Sequence, residues 1–62
     1  MSIAVPEMLR VPAVAQLLNI SVAQCWRMVW ARNIPSVRLS EKVVRIPSDE
    51  LERWLEAKKA GR

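Results

Sequence analysis

The sequence predicts one small domain that is mainly α-helical and carries a single β-hairpin. Apolar residues recur at helical spacing in three segments, a tight turn joins the first two, and a stretch of alternating apolar and basic residues precedes the third. The 62 residues suffice for one domain and no more. Because a chain this short buries only roughly 60% of its unfolded surface, we expect a modest core, no deep substrate pocket and no enzymatic activity.

The first predicted helix runs from Pro12 to Leu18. Val14, Leu17 and Leu18 fall at i, i+3 and i+4, a spacing that marks one apolar helical face. Pro12 suits the first turn, because the amide hydrogen that proline lacks would have no partner there. Asn19 readily adopts the left-handed conformation that ends a helix, so we predict that the helix stops at Leu18.

A second helix is predicted to follow almost at once, over Val22–Arg32. Ser21 is its expected N-cap, with the hydroxyl accepting a hydrogen bond from the backbone N–H of Ala23 or Gln24. Asn33 is expected to end it. Two helices joined by so tight a turn form a helix-turn-helix arrangement.

Beyond the second helix the period of the sequence changes from helical to alternating. Two alternating runs, 37–39 and 44–46, flank the short polar turn SEK and predict a β-hairpin. In each run the apolar side chains share one side and an arginine opposes them. We therefore expect Arg38 and Arg45 to project from the same side of the hairpin, and Pro47 to end its second strand.

The segment SDELERWLEAKKAGR predicts a third helix. Ser48 is its expected N-cap. Acidic residues occupy the first turn and two lysines lie near the end, so both ends complement the helix dipole. Leu51, Trp54 and Leu55 form an apolar stripe, and we expect Trp54 to lie in the core.

Three ranges describe the expected organisation: a loose arm over residues 1–8, a folded domain over 9–60 and a tail over 61–62. No stretch approaches the ~20 apolar residues of a membrane span, so no membrane partner is expected. The lone cysteine, Cys25, and the absence of histidine exclude an internal disulfide and a zinc site of paired cysteines. We therefore expect no metal, no cofactor and a core position for Cys25.

The charge balance favours a polyanionic partner. Lysine and arginine together number 10 against 6 aspartates and glutamates, which gives a formal net charge of +4. Nucleic acid is one such partner, but many ordinary small proteins are equally basic. Composition alone leaves these two alternatives open.

The order helix, tight turn, helix, hairpin, helix is that of a winged helix-turn-helix domain. From Leu9 to Leu55 the chain resembles the small MerR-like DNA-binding domains of the phage excisionase family, also called recombination directionality factors. The resemblance lies chiefly in VAQLLNIS, NIPSVRL and VVRIP, taken in that order. The chain departs from the family at Arg10, where Ser or Thr usually caps the first helix, at Val22, where many members have Arg, and at the wing tip.

This resemblance implies binding to double-stranded DNA, with the second helix in the major groove and the wing against the minor groove. It also implies that several copies bind adjacent sites, bend the DNA and turn a phage integrase from insertion to excision. The expected place of action is the bacterial cytoplasm, at the nucleoid. Neither the long coiled coil nor the effector domain of full MerR-type regulators is expected.

The second predicted helix is amphipathic, which orients its candidate contacts. At 100° per residue, Cys25, Met28 and Val29 fall on a buried face and Arg27 lies opposite them. Arg27 is therefore expected to contact guanine, the commonest specific pairing in the major groove; the alternative is a solvated charge. The candidate DNA-contacting residues here are Ser21, Val22, Ala23, Gln24, Arg27, Trp30 and Ala31.

The predicted wing adds a second set of candidate contacts. We expect it to track the phosphate backbone without reading sequence. The alternative for its two arginines is pairing with glutamates of the last helix. The candidate contacts of the wing are Arg38, Ser40, Lys42 and Arg45.

Trp26 and Trp30 stand four residues apart and admit two interpretations. Each ring either contacts DNA or a neighbouring copy of the chain, or folds over the first helix or the hairpin to enlarge the core. A small transcriptional regulator of the same fold is an alternative function. A further alternative abandons DNA: the two tryptophans would then form a docking patch for another protein.

Overall fold

The computed structural model describes residues 4–61 and has the predicted architecture, mainly helical with a β-hairpin wing. The first two helices form the helix-turn-helix unit, a pair of strands forms the wing, and the third helix closes the domain. A short strand before the first helix adds a third member to the sheet. The elements in chain order are β1 (Met8–Leu9), α1 (Val11–Leu18), α2 (Val22–Trp30), β2 (Val37–Ser40), β3 (Val43–Pro47) and α3 (Ser48–Gly61).

The turn between α1 and α2 is built as predicted. Asn19 is left-handed, with φ 59° and ψ 45°, and directly follows the last residue of α1. The backbone N–H of Ile20 donates to the carbonyl of Ala15 at 2.9 Å, which satisfies a carbonyl that α1 leaves without a partner. The Ser21 hydroxyl accepts a hydrogen bond from the Gln24 N–H at 3.0 Å and so caps α2.

The prediction that α2 continues to Arg32 is wrong, because the helix ends at Trp30. Arg32, and not Asn33, adopts the left-handed conformation, with φ 62°. The Asn33 N–H donates to the carbonyl of Met28 at 2.9 Å and closes the end of the helix. Asparagine tolerates this conformation better than arginine does. However, a left-handed turn at Arg32, one residue earlier, places Ile34 in the core, where only 1% of its surface is exposed.

Strand β1 was not predicted. Met8 pairs with Pro47 and Leu9 with Ile46, so β3 lies between β1 and β2. Met8, which the sequence analysis assigned to a loose arm, therefore belongs to the sheet; residues 1–3 of that arm lie outside the described residues. A strand of two residues is too short to show an alternating pattern, which is why the sequence did not reveal it.

The two wing arginines lie on opposite faces of the hairpin, so the prediction that they share a side is wrong. Arg38 pairs with Val44, and Val37 pairs with Arg45. Directly paired residues of an antiparallel hairpin point to the same face, while neighbours along a strand point to opposite faces. Arg38 therefore shares the face of buried Val44, and Arg45 lies on the other face.

The start of α3 also differs from the prediction. The helix begins at Ser48 itself, directly after Pro47, so Ser48 is its first helical residue and not its N-cap. The Ser48 N–H donates to the carbonyl of Glu7 at 2.8 Å, which ties the start of α3 to the chain before β1. At the other end α3 includes Gly61, which had been assigned to the tail.

The core is almost wholly aliphatic, and each helix contributes to it through a narrow face. The prediction that Cys25 and Val29 point inward is confirmed, and Met28 is half-buried at the edge of the same face. Burial raises the pKa of the Cys25 thiol. The buried core residues are Val11, Val14, Ala15, Cys25, Val29, Ile34, Val44, Ile46 and Leu51.

Two predicted apolar stripes are buried only in part. Leu17 is 67% exposed and Leu55 is 38% exposed. The buried face of α1 centres on Val11, Val14 and Ala15, and Leu17 lies roughly 110° from that centre at 100° per residue. Trp54 is half-buried against the core, with the Lys58 Nζ 5.7 Å from its ring centroid. None of the helices within residues 4–61 is long and apolar enough to cross a membrane.

Candidate nucleic-acid interface

The outer face of α2 presents the predicted contact residues to solvent. Helix α2 packs on α1 through Cys25 and Val29, and the side chain of Arg27, two positions from each, points away from that contact. All seven candidates of the helix and its cap are exposed; they are Ser21, Val22, Ala23, Gln24, Arg27, Trp30 and Ala31.

Arg27 has no partner among the described residues. The ion pair found within residues 4–61 joins Lys59 to Glu56 at 3.5 Å, far along the chain from α2. The side-chain hydrogen bonds of residues 4–61 do not involve the Arg27 guanidinium either. A guanidinium carries five N–H donors in a rigid fork, so Arg27 has its full bonding capacity available for a carboxylate, a phosphate or a base edge.

The two tryptophans of α2 stack on each other. The ring centroids of Trp26 and Trp30 are 5.6 Å apart and the ring planes differ by 22°. Trp26 is half-buried and packs against the core, which confirms the core-enlarging interpretation for that ring. Trp30 is 61% exposed and rests on Trp26. Since such a stack contributes about 0.5–1.5 kcal/mol beyond area burial, Trp30 presents a well-oriented aromatic surface beside Arg27.

The wing arginines bond to backbone carbonyls and not to acidic side chains. Arg38 Nη2 donates to the carbonyl of Glu41 at 3.4 Å, and Arg45 Nη1 donates to the carbonyl of Val44 at 2.9 Å. The alternative in which both arginines pair with glutamates of α3 is therefore wrong. Ser40 and Lys42 are exposed at the end of the hairpin, where the strands turn.

A surface cavity of about 410 Å³ lies between the end of α2 and the wing. Trp30 and Arg32 line it from the helix side, and Arg38 lines it from the wing. This placement puts Arg38, and not Arg45, on the side of the wing that adjoins α2. The cavity is lined by Val29, Trp30, Arg32, Ile34, Pro35, Ser36, Arg38 and Val44.

Arg32 is the residue that sequence reasoning missed. Extending α2 to Arg32 placed this side chain near the buried arc, whereas the left-handed turn exposes it at the mouth of the cavity. The signal that would have found it is charge: four arginines and no acidic residue occur in residues 8–40. The other parts of the chain carry equal numbers of acidic and basic residues, so this stretch accounts for the whole net charge of +4.

The described residues hold no evident metal site. No group of three or more acidic, histidine or cysteine side chains within residues 4–61 is arranged to hold a metal ion. Cys25 is fully buried, and its raised pKa keeps it a neutral thiol near pH 7. The chemistry that this surface offers is therefore that of arginine forks, an indole ring and small polar groups.

Comparison with known proteins supports the interpretation of this surface. A protein-family model described as a helix-turn-helix domain matches residues 8–59, from β1 to near the end of α3. No curated protein and no solved structure matches the chain.

Proposed function

The chain belongs to the helix-turn-helix domain family, and from that premise we propose that it is an excisionase-type architectural protein. In this role it binds adjacent sites on double-stranded DNA, bends the DNA and directs a phage integrase toward excision, in the cytoplasm of a bacterial host. The observation that carries the DNA-binding part is the outward, unpaired Arg27 in a stretch of 33 residues (8–40) without acidic side chains. The excisionase role rests on the resemblance of Leu9–Leu55 to that family.

In the proposed complex α2 lies in the major groove and reads base edges. Arg27, at the middle of the exposed face, bonds the O6 and N7 acceptors of a guanine. Ser21 and Gln24, at the start of the helix, bond a phosphate or an adenine edge. Val22 and Ala23 present small apolar surfaces that suit a thymine methyl group.

The proposed wing contacts fix the position of the protein on the duplex without reading sequence. Arg38 lines the cavity beside α2, and Ser40 and Lys42 are exposed at the end of the hairpin, where we expect phosphates of the groove edge to lie. Arg45 is left out of the proposed contacts, because it lies on the face of the wing opposite to Arg38.

Contact between copies of the chain would compensate for the small interface of one monomer. A single small module makes few base contacts, and bending a site costs of order 1–6 kcal/mol. A cavity of about 420 Å³ flanked by the exposed side chains of Leu17 and Leu55 lies between β1, α1 and α3. None of its lining residues belongs to α2 or to the wing, so this apolar surface stays free when α2 enters a groove.

Footprinting and bending assays on the DNA that flanks the coding region test the proposal. We expect the protein to protect several adjacent sites, and a circular-permutation gel assay to show a bend that increases as the sites fill. A transcriptional regulator would protect a promoter site without directing an integrase in a reconstituted excision assay. Failure to bind any duplex in dilute salt would contradict the whole proposal.

A further inference from the structure

Arg32 occupies a backbone position that favours glycine. Its φ of 62° is left-handed, and a single residue, Ala31, separates it from the end of α2. The Arg32 N–H donates to the carbonyl of Val29 at 3.0 Å, so the strained conformation is part of the helix ending. A bulky residue in this conformation is uncommon, and such outliers concentrate at functional sites. The packing of Ile34 accounts for the reversal at this position, but it does not account for an arginine side chain there.

No contact within the described residues supplies that reason. The Arg32 side chain takes part in none of the ion pairs or side-chain hydrogen bonds of residues 4–61, and it is exposed. Instead it lines the cavity between α2 and the wing, and Arg38 lines the same cavity from the wing. Arg32, just after α2, and Arg38, in β2, thus line one opening, and Trp30 lines it as well.

We propose that Arg32 and Arg38 together clamp one phosphate of the DNA backbone where α2 meets the wing, with the Trp30 ring packed on the adjoining deoxyribose. Arginine suits this role because its planar fork binds phosphate oxygens through two parallel N–H bonds. Residues 8–40 contain no acidic side chain, so nothing in this segment offsets the positive charge of the arginines that line the cavity. This inference rests on the proposed DNA-binding function and adds to it a site that joins helix and wing.

Substitutions of Arg32 can separate the effect of this residue on stability from its effect on DNA binding. Arg32→Gly relieves the left-handed strain and is expected to raise the Tm by roughly 4 °C or more while weakening duplex binding severalfold. Arg32→Asn, which also tolerates this conformation but keeps the backbone less flexible than glycine, is expected to lose the same affinity. Loss of affinity in Arg32→Gly alone would mean that the loop's rigidity matters and the guanidinium does not, which would overturn the clamp.

Salt dependence tests whether the two arginines share one phosphate. The slope of log K against log salt changes by about 0.9 for each phosphate neutralised. The double variant Arg32→Asn/Arg38→Ala is therefore expected to flatten the slope by about 0.9, and a loss of about 1.8 would assign the residues to separate phosphates and overturn the clamp. Arg53→Ala, on the exposed surface of α3, removes one positive charge outside the cavity and should leave the slope unchanged.

The outcomes also separate this inference from the proposed function. If the wild-type protein ignores duplexes in dilute salt, the DNA-binding proposal itself fails. If the wild type binds and Arg27→Ala weakens it, while both Arg32 variants bind with wild-type affinity and slope, the clamp alone fails.

Discussion

Replacing Ile34 by alanine is expected to bring the domain close to unfolding. Ile34 follows the reversal at Arg32, and only 1% of its surface is exposed, so the substitution leaves a cavity among core residues. Such a change costs about 2–5 kcal/mol. A domain of 62 residues is expected to have a free energy of unfolding of roughly 3–9 kcal/mol, so this one substitution removes a large share of it.

Leu17→Ala is the matched control, because it removes the same number of carbon atoms from a helix surface. Leu17 is 67% exposed, so only a small part of its apolar area is hidden and no cavity results. The expected cost is about 1 kcal/mol or less. The two substitutions thus differ in burial and hardly at all in the atoms they remove.

Thermal and urea unfolding followed by far-ultraviolet circular dichroism measure both variants. We expect Ile34→Ala to lower the Tm by roughly 10 °C or more and Leu17→Ala to lower it by a few degrees. The m-value should stay constant in both, since the change in exposed surface on unfolding is almost the same. Equal losses, or a larger loss for Leu17→Ala, would refute the packing of α1 and the reversal after α2.

Three further predictions concern the wing arginines, the apolar cavity between β1, α1 and α3, and the buried thiol. Arg38→Ala is expected to weaken duplex binding and Arg45→Ala to leave it unchanged, because the two side chains lie on opposite faces of the wing. Equal effects of the two substitutions in gel shifts would contradict that register. The double variant Leu17→Glu/Leu55→Glu is expected to keep its affinity for a single site but to lose cooperative binding to adjacent sites. Unchanged cooperativity in footprint titrations would disprove this prediction. Burial raises the pKa of the Cys25 thiol, so as the pH rises the unfolded chain loses the thiol proton before the folded chain does. The free energy of unfolding is therefore expected to fall above about pH 9. Cys25→Ala, itself less stable, should lack this part of the fall when the free energy of unfolding is measured against pH.

The parts of the fold that depend on residues close together in the sequence could be predicted. The left-handed Asn19 and the capping hydroxyl of Ser21 act within a few residues of themselves, and both were located correctly. The buried face of α2 followed from helical spacing alone, which placed Cys25 inward and Arg27 outward. The central elements of the candidate site could therefore be found without coordinates.

The parts that depend on tertiary pairing could not be predicted. Strand β1 exists because Met8 and Leu9 find partners on β3, nearly forty residues further along the chain. Local preference selected Asn33 as the residue that ends α2, but the packing of Ile34 placed the reversal at Arg32. The same error left Arg32 out of the candidate site, because extending α2 to this residue placed its side chain near the buried face of the helix.

The wing shows how a small error in register changes a functional prediction. The predicted alternation holds along β3, but the register of β2 shifts between Arg38 and Ser40, and the alignment of the two strands was not predicted. Because the side-chain period of a strand is two residues, an offset of one position moves a residue to the opposite face. The pairing of Arg38 with Val44 therefore decides which arginine can reach the groove that α2 enters.

The most direct test of DNA reading by α2 compares wild-type protein with Arg27→Ala on a footprinted duplex and on duplexes with single base-pair changes. We expect Arg27→Ala to lose ~1–3 kcal/mol of specific affinity and to stop discriminating one G·C pair, whereas the control Arg53→Ala retains both. Equal affinity and equal base preference in wild type and Arg27→Ala would mean that Arg27 does not read a base.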